Sequence, residues 1–269
     1  LLLAHGWTIQ ALRAADPDAE LGITLNFTPA IAASDSAADL DIARRLNGTN
    51  NRYFTEPIFT GEYPADVVAD LASIWPDDLV HDGDLAAIAT PIDVLGVNYY
   101  STNLVAAPAA GAEPPAGASP NITAPEAVVV DRGLPKTAMD WDIDPDGLRD
   151  LLLWLHGTYT GAAGVSLVIT ENGAAFDDVP DADGYVDDTA DRLAYLKTHL
   201  AAVHEALAVG ADVRGYLAWS LLDNFEWAYG YAKRFGIVRV DENQRRTPKA
   251  SARWFAEVAR RGGFDTQAG

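Results

Sequence analysis

The sequence predicts an α/β protein whose parallel strands form half of an eight-stranded barrel. Four short apolar segments alternate with stretches of helical periodicity, the pattern that parallel strands with helical connections produce. Each of the last three apolar segments runs directly into carboxylate, amide or aromatic residues, and barrel enzymes keep their chemistry at the carboxyl ends of their strands. No repeat and no break in composition divides the 269 residues, so one domain spanning 1–269 is expected. Continuous apolar strands also predict cover on both faces of the sheet, but half a barrel would lack its opposing layers and would leave unpaired edges near Leu21 to Phe27 and Val213 to Trp219.

In order, Leu1 to Ala15 has apolar residues at helical spacing and stops at Asp16-Pro17. Leu21 to Phe27 reads as the first strand. Ser36 to Leu46 reads as a helix capped by Ser34 or Asp35, and Pro64 to Trp75 as a short one closed by Pro76. Leu85 to Ala89 is a helical turn or two. Ile92 to Tyr100 is the second strand. Residues 105–126, rich in Ala, Pro and Gly, read as a loop excursion. Asp144-Pro145 starts a helix that runs to Tyr159, with Pro at the first helical position. Gly164 to Gly173 is the third strand, and Asp187 to Val209 a long amphipathic helix ended by Gly210. Val213 to Trp219 is the fourth strand. Gly236 to Asp241 is a short outlying strand, and Pro248 to Arg261 the last helix.

Composition narrows the function. Lys plus Arg is 19 against 39 for Asp plus Glu, a net charge of -20. Nucleic acids and anionic membranes demand clustered positive charge, so neither is an expected partner. With no cysteine, thiolate nucleophiles, thiolate metal sites and disulfides are excluded. The five histidines show no metal-binding spacing, and His199 and His204 read as surface positions on one helix. No metal and no cofactor is expected. The amino-terminal apolar run is too short to span a bilayer, and the acidic, Ala-rich composition points to the cytoplasm.

The strand ends carry the candidate chemistry. Glu171 follows a dry strand and precedes Asn172-Gly173. A carboxylate held there can be rigid and partly desolvated, as a nucleophile or general acid or base must be. Equally, Asn-Gly is a turn signal that would leave the Glu solvated. Asn98, Tyr99 and Tyr100 close the second strand, and a tyrosine hydroxyl beside a carboxylate can orient it. Beyond Trp219, the fourth strand becomes a loop with Asp223, Asn224, Glu226, Trp227, Lys233 and Arg234. Glu226 offers an acceptor for paired hydroxyls, and Trp219 and Trp227 offer flat apolar faces: the parts a sugar site uses.

Thr170-Glu-Asn-Gly173, Gly96-Val-Asn-Tyr-Tyr-Ser101 and Trp219-Ser-Leu-Leu-Asp-Asn-Phe-Glu-Trp227 followed by Gly230-Tyr-Ala-Lys-Arg-Phe-Gly236 together resemble glycoside hydrolase family 1, the retaining β-glucosidases. The resemblance runs from residue 1 to about 261. It implies a (β/α)8 TIM barrel of which this chain supplies roughly strands five to eight. Glu171 matches the family's nucleophile, and Tyr100 the tyrosine that hydrogen-bonds it. Asn98 matches a neighbour in the glycone pocket, and Glu226 the glutamate that grips two glucose hydroxyls, with Trp227 beside it. Trp219 matches the platform under the glycone, Phe235 the pocket wall near the hydroxymethyl group, and Trp141 the aglycone-side tryptophan. Glu226 also favours unphosphorylated sugars, because a carboxylate would repel phosphate.

A retaining enzyme needs a second carboxyl group about 5 Å from the first. The family supplies it from an Asn-Glu-Pro at the end of the fourth barrel strand, and this chain begins just after that point. Thr55-Glu56-Pro57 is rejected as a substitute because it follows a helix, not a strand. The expected substrate is therefore a β-glucoside or short β-linked oligosaccharide. The expected partner is the amino-terminal half of the barrel or, failing that, a self-association partner. The alternative is a catalytically inactive half-barrel that binds sugar or serves assembly.

Overall fold

The computed structural model describes residues 1–109 and 121–265. Helix α1 (Leu2–Ala15) leads into strand β1 (Gly22–Phe27) and the short β2 (Ala30–Ala32). Helix α2 (Ala37–Asn47) starts at Ser36, whose side chain accepts from Asp39 N; the cap is thus one or two residues beyond the expected Asp35 or Ser34. A widened turn over Gly48–Arg52 joins α2 to α3 (Tyr53–Thr60). The helix expected over 64–75 shortens to α4 (Ala65–Asp70) and gives way to turns; α5 (Asp84–Ile88) follows. Strands β3 (Val94–Tyr99), β4 (Asn103–Ala106) and β5 (Val128–Val129) come next. Two of these fall at the margins of the excursion expected over 105–126, and its middle, 110–120, lies outside the described residues.

Helix α6 (Pro145–Leu155) begins where Asp144 accepts from Gly147 N, with Pro145 at its first turn. It continues through a widened turn to Thr160 and the single turn α7 (Gly161–Ala163). Strand β6 (Ser166–Asn172) carries Glu171. The long helix expected from 187 is α8 (Ala194–Val209) preceded by a widened turn, Thr189–Leu193. Strand β7 (Val213–Ala218), the antiparallel pair β8 (Val238–Val240) and β9 (Arg246–Pro248), and α9 (Ala250–Arg261) complete the chain.

The main sheet has the order β1-β3-β6-β7 with every pairing parallel. It is the carboxyl-terminal half of a barrel: four strands in chain order with helices between them. Side chains alternate across it, as strand geometry requires. Leu25 and Phe27, Leu95, Val97 and Tyr99, and Leu167 and Ile169 are buried on one face against α1, α6 and α8. Burying one such side chain contributes about 2 kcal/mol, so this face holds the half-barrel together. The opposite face carries Thr24, Asn26, Gly96, Asn98, Val168, Thr170 and Gly215.

That second face is open, as half a barrel predicts, and not covered on both sides as continuous apolar strands alone would suggest. Among the described residues, the helices packed on this sheet lie on one face. On the other, Thr24 and Asn26 are exposed, and Leu217, two residues beyond Gly215, is 54% exposed. Strands β1 and β7 each have one edge without a partner strand among the described residues. A smaller sheet, β2-β4-β5, sits past the carboxyl ends of β1 and β3; the sequence reading did not anticipate it. Among the described residues, no helix is long and apolar enough to cross a membrane.

Candidate active site

The register of the sheet places three polar residues side by side. Asn26 pairs with Asn98, and Asn98 with Glu171, across three adjacent strands. A register shift between Val97 and Asn98, where β3 meets β6, makes the second pairing possible. Such irregularities re-aim side chains at the rims of barrels. Here the shift brings Glu171 level with Asn98 at the open face.

Tyr100 Oη donates to Glu171 Oε2 at 2.6 Å. Burial, reinforced by the negative charge of Glu171 and more weakly of Glu226, raises the tyrosine pKa. The phenol therefore stays protonated and serves as a fixed donor. Thr170 Oγ1 donates to Asn98 Oδ1 at 2.7 Å, which orients that amide. The Tyr100 ring packs against Trp141 and Phe235, with centroids 5.3 and 6.3 Å away, and Trp141 and Phe235 are 6.2 Å apart. Phe235 is buried, while Trp141 and Trp219 are partly open.

The loop after β7 is built on the strand end that bears Glu171. Trp219 N donates to Asn172 O at 2.9 Å, and the Trp219–Ser220 peptide is cis. Gly173 is required here because a Cβ would overlap the Trp219 carbonyl oxygen. Asn224 Nδ2 donates to Glu226 Oε2 at 2.8 Å. The Trp141 segment is tied to both neighbours: Ala138 N donates to Ala175 O, and Lys233 Nζ donates to Ala138 O. Trp227, next to Glu226, is 85% exposed.

Several supporting residues went unnoticed in the sequence. Asn172 is fully buried and donates to Tyr99 O (2.7 Å) and Tyr195 Oη (3.0 Å), while Tyr216 Oη donates to it (2.6 Å). The residue next to Glu171 is thus locked from the two neighbouring strands and a helix. His199, expected at the surface, is fully buried under Tyr195, with ring centroids 3.7 Å apart. It falls on the stripe Tyr195, His199, Ala202, Ala206 that α8 turns inward, a spacing that would have revealed it. His204 is exposed as expected. Glu56 lies inside α3, 2.6 Å from Arg52, away from the strand ends. Arg234, expected at a polar rim, turns back to Asp223 at 3.1 Å.

The arrangement presents a clamped carboxylate, a second carboxylate with an amide neighbour, and aromatic faces around an open polar floor. That set can hold a polyhydroxylated ring and offer a nucleophile to it. Among the described residues, no group of three or more His, Asp or Glu could hold a metal ion.

Comparison with known proteins agrees with this fold. The glycosyl hydrolase family 1 model matches residues 1–264. A bifunctional beta-D-glucosidase/beta-D-fucosidase of Bifidobacterium breve is 43% identical over 263 residues, 95% of this chain and 55% of that protein. The thermostable beta-glucosidase B of Thermobispora bispora is 45% identical over 98% of this chain and 52% of its own length. Among solved structures, the psychrophilic beta-glucosidase of Micrococcus antarcticus superposes with a TM-score of 0.89 at 41% identity, covering 98% of this chain and 57% of that one. A beta-glucosidase from Thermotoga maritima in complex with castanospermine gives 0.85 at 37%, over 98% and 56%. The chain spans about half the length of the curated relatives it matches. It belongs to glycosyl hydrolase family 1.

Proposed function

We propose that this chain, acting as one domain, supplies the nucleophile side of a retaining β-glucosidase site. The observation that carries the reading is the 2.6 Å bond from Tyr100 to Glu171 at the carboxyl ends of adjacent parallel strands, beneath Trp141 and Phe235. In the first step, Glu171 attacks the anomeric carbon of a terminal β-D-glucosyl residue and forms a covalent glycosyl-enzyme. Tyr100 holds the carboxylate in line. In the second step, water releases β-glucose with retention. Asn98, Glu226 and Trp227 bind sugar hydroxyls, Trp219 and Phe235 shape the glycone pocket, and Trp141 meets the aglycone.

The acid that protonates the leaving oxygen, and then serves as base, comes from the amino-terminal half of the barrel. The open concave face and the free edges of β1 and β7 support a partner of that kind. Relatives named for β-glucosidase and β-fucosidase activity, and one crystallised with castanospermine, support a β-glucoside or short β-linked oligosaccharide as substrate. The exposed edges also suit a second reading, a catalytically inactive half-barrel used for sugar binding or assembly. Hydrolysis of a chromogenic aryl β-glucoside separates the two. The chain is assayed alone and then with the amino-terminal half of a family 1 relative. Turnover that appears only in the mixture supports the split site. No turnover in a mixture that forms a stable complex supports the second reading.

A further inference from the structure

Behind the site lies a sealed group of charges that the proposed mechanism does not use. Lys249, just ahead of α9, is fully buried. Its Nζ is 2.5 Å from Asp178 Oδ2 and 3.2 Å from Asp223 Oδ1, and those carboxylates are themselves almost inaccessible. Asp178 belongs to the segment that follows Glu171. Asp223 lies between Trp219 and Glu226 and accepts from Gly236 N and Val240 N, each at 3.1 Å. Arg192 pairs with Asp178 and Asp188 (3.2 and 2.6 Å) and donates to Arg234 O at 2.6 Å. With the Arg234–Asp223 pair, three cations balance three carboxylates.

Such a cluster is a weak source of net stability, because desolvation offsets most of the attraction between buried charges. Its placement is more telling. Among the described residues, Lys249 is the one cation that pairs with a carboxylate of the Glu171 segment and a carboxylate of the Glu226 segment at once. Burial, and then the neighbouring Arg192, push its pKa down, while the two carboxylates oppose that shift.

We infer that Lys249 is a positioning residue: by bridging Asp178 to Asp223 it sets the placement of Glu226 relative to Glu171. The inference rests on the roles proposed above for those two glutamates. Lys249 does not itself reach the open face.

The decisive variant is Asp178→Asn combined with Lys249→Met. Lys249→Met alone would leave two buried carboxylates short of a partner and is expected to fold poorly. The double variant removes one charge of each sign, so two cations still balance two carboxylates, but the bridge is gone. Because the chain has no cysteine, spin labels can be placed singly at Val179→Cys, on an 82% exposed residue, and Ala228→Cys, also exposed. The expected result is an unfolding midpoint close to the parent's together with a broadened label-to-label distance. In the complex with a complementing amino-terminal half, kcat/KM on the aryl β-glucoside should fall by about 10²-fold, the scale of a 1 Å misplacement. An unchanged distance distribution would overturn the inference, as would recovery of kcat/KM alongside stability. If the parent complex shows no glucoside hydrolysis, the catalytic reading fails, and the distance measurement on the chain alone still decides whether Lys249 is a clamp.

Discussion

His199 should make this chain lose stability in mild acid by an amount the structure lets us work out. Its Nδ1 lies 2.8 Å from Tyr195 O. A carbonyl can only accept, so Nδ1 carries the proton and Nε2 is left as a buried acceptor with no partner. Protonating Nε2 would bury a charged donor with nothing to receive it. Burial accordingly lowers the pKa from 6.5 to about 4, against smaller opposing effects from the Tyr195 carbonyl and the charge of Asp144. The unfolded chain then binds more protons than the folded one between those two values. Stability from this residue is whole above pH 6.5 and drains away as pH falls toward 4. From pH 7.5 to pH 5 the loss comes to about 2 kcal/mol at roughly 1.4 kcal/mol per unit. His199→Phe keeps a ring against Tyr195 and removes the titration. Urea unfolding of both proteins at the two pH values, followed by tryptophan fluorescence, should show the parent losing about 2 kcal/mol more than the variant. Equal losses would refute the argument. The effect bears on function because Tyr195 Oη holds Asn172, the residue beside Glu171.

Further predictions concern the site and its edges. Tyr100→Phe removes a hydrogen bond to a charged group, worth about 1.5–3 kcal/mol, so glucoside turnover by the complemented chain should fall by roughly 10- to 100-fold while the variant still folds, destabilised by no more than that amount; an undiminished rate would exclude the orienting role. Gly173→Ala drives a methyl into the Trp219 carbonyl and should destabilise by about 3 kcal/mol or more, detectable as a lower melting temperature; a neutral effect would mean the two strand ends are not in contact. With the edges of β1 and β7 open and Leu217 and Leu221 54% and 64% exposed, the isolated chain should self-associate. Sedimentation at several concentrations checks this, and a single monomeric species throughout would count against it.

How far the sequence reached differs from residue to residue. Strands β1, β3, β6 and β7 were legible because each is an apolar run closed by glycine, proline or polar residues. The Tyr100–Glu171 contact was legible only through resemblance, since 71 residues separate the two. The one-sided cover of the sheet was legible only from the count of four strands, because a continuous apolar strand does not itself say whether helices or further strands lie on its second face. β4 and β5 were hidden by their brevity and by the Ala- and Pro-rich run between them. The charge cluster escaped for a different reason: Asp178, Asp223 and Lys249 form no local pattern, and Lys and Asp are ordinarily surface residues. Only the folded chain brings them together.

Covalent trapping tests most directly whether Glu171 is the nucleophile. The chain, combined with a complementing amino-terminal half, is incubated with an activated 2-deoxy-2-fluoro-β-glucoside, and the labelled peptide is located by mass spectrometry. The predicted result is one sugar per chain on the peptide containing Glu171, and no label in a Glu171→Gln variant that unfolds like the parent. A label on Glu226, on Glu56 or on the partner half, or full turnover by the Gln variant, would contradict the assignment.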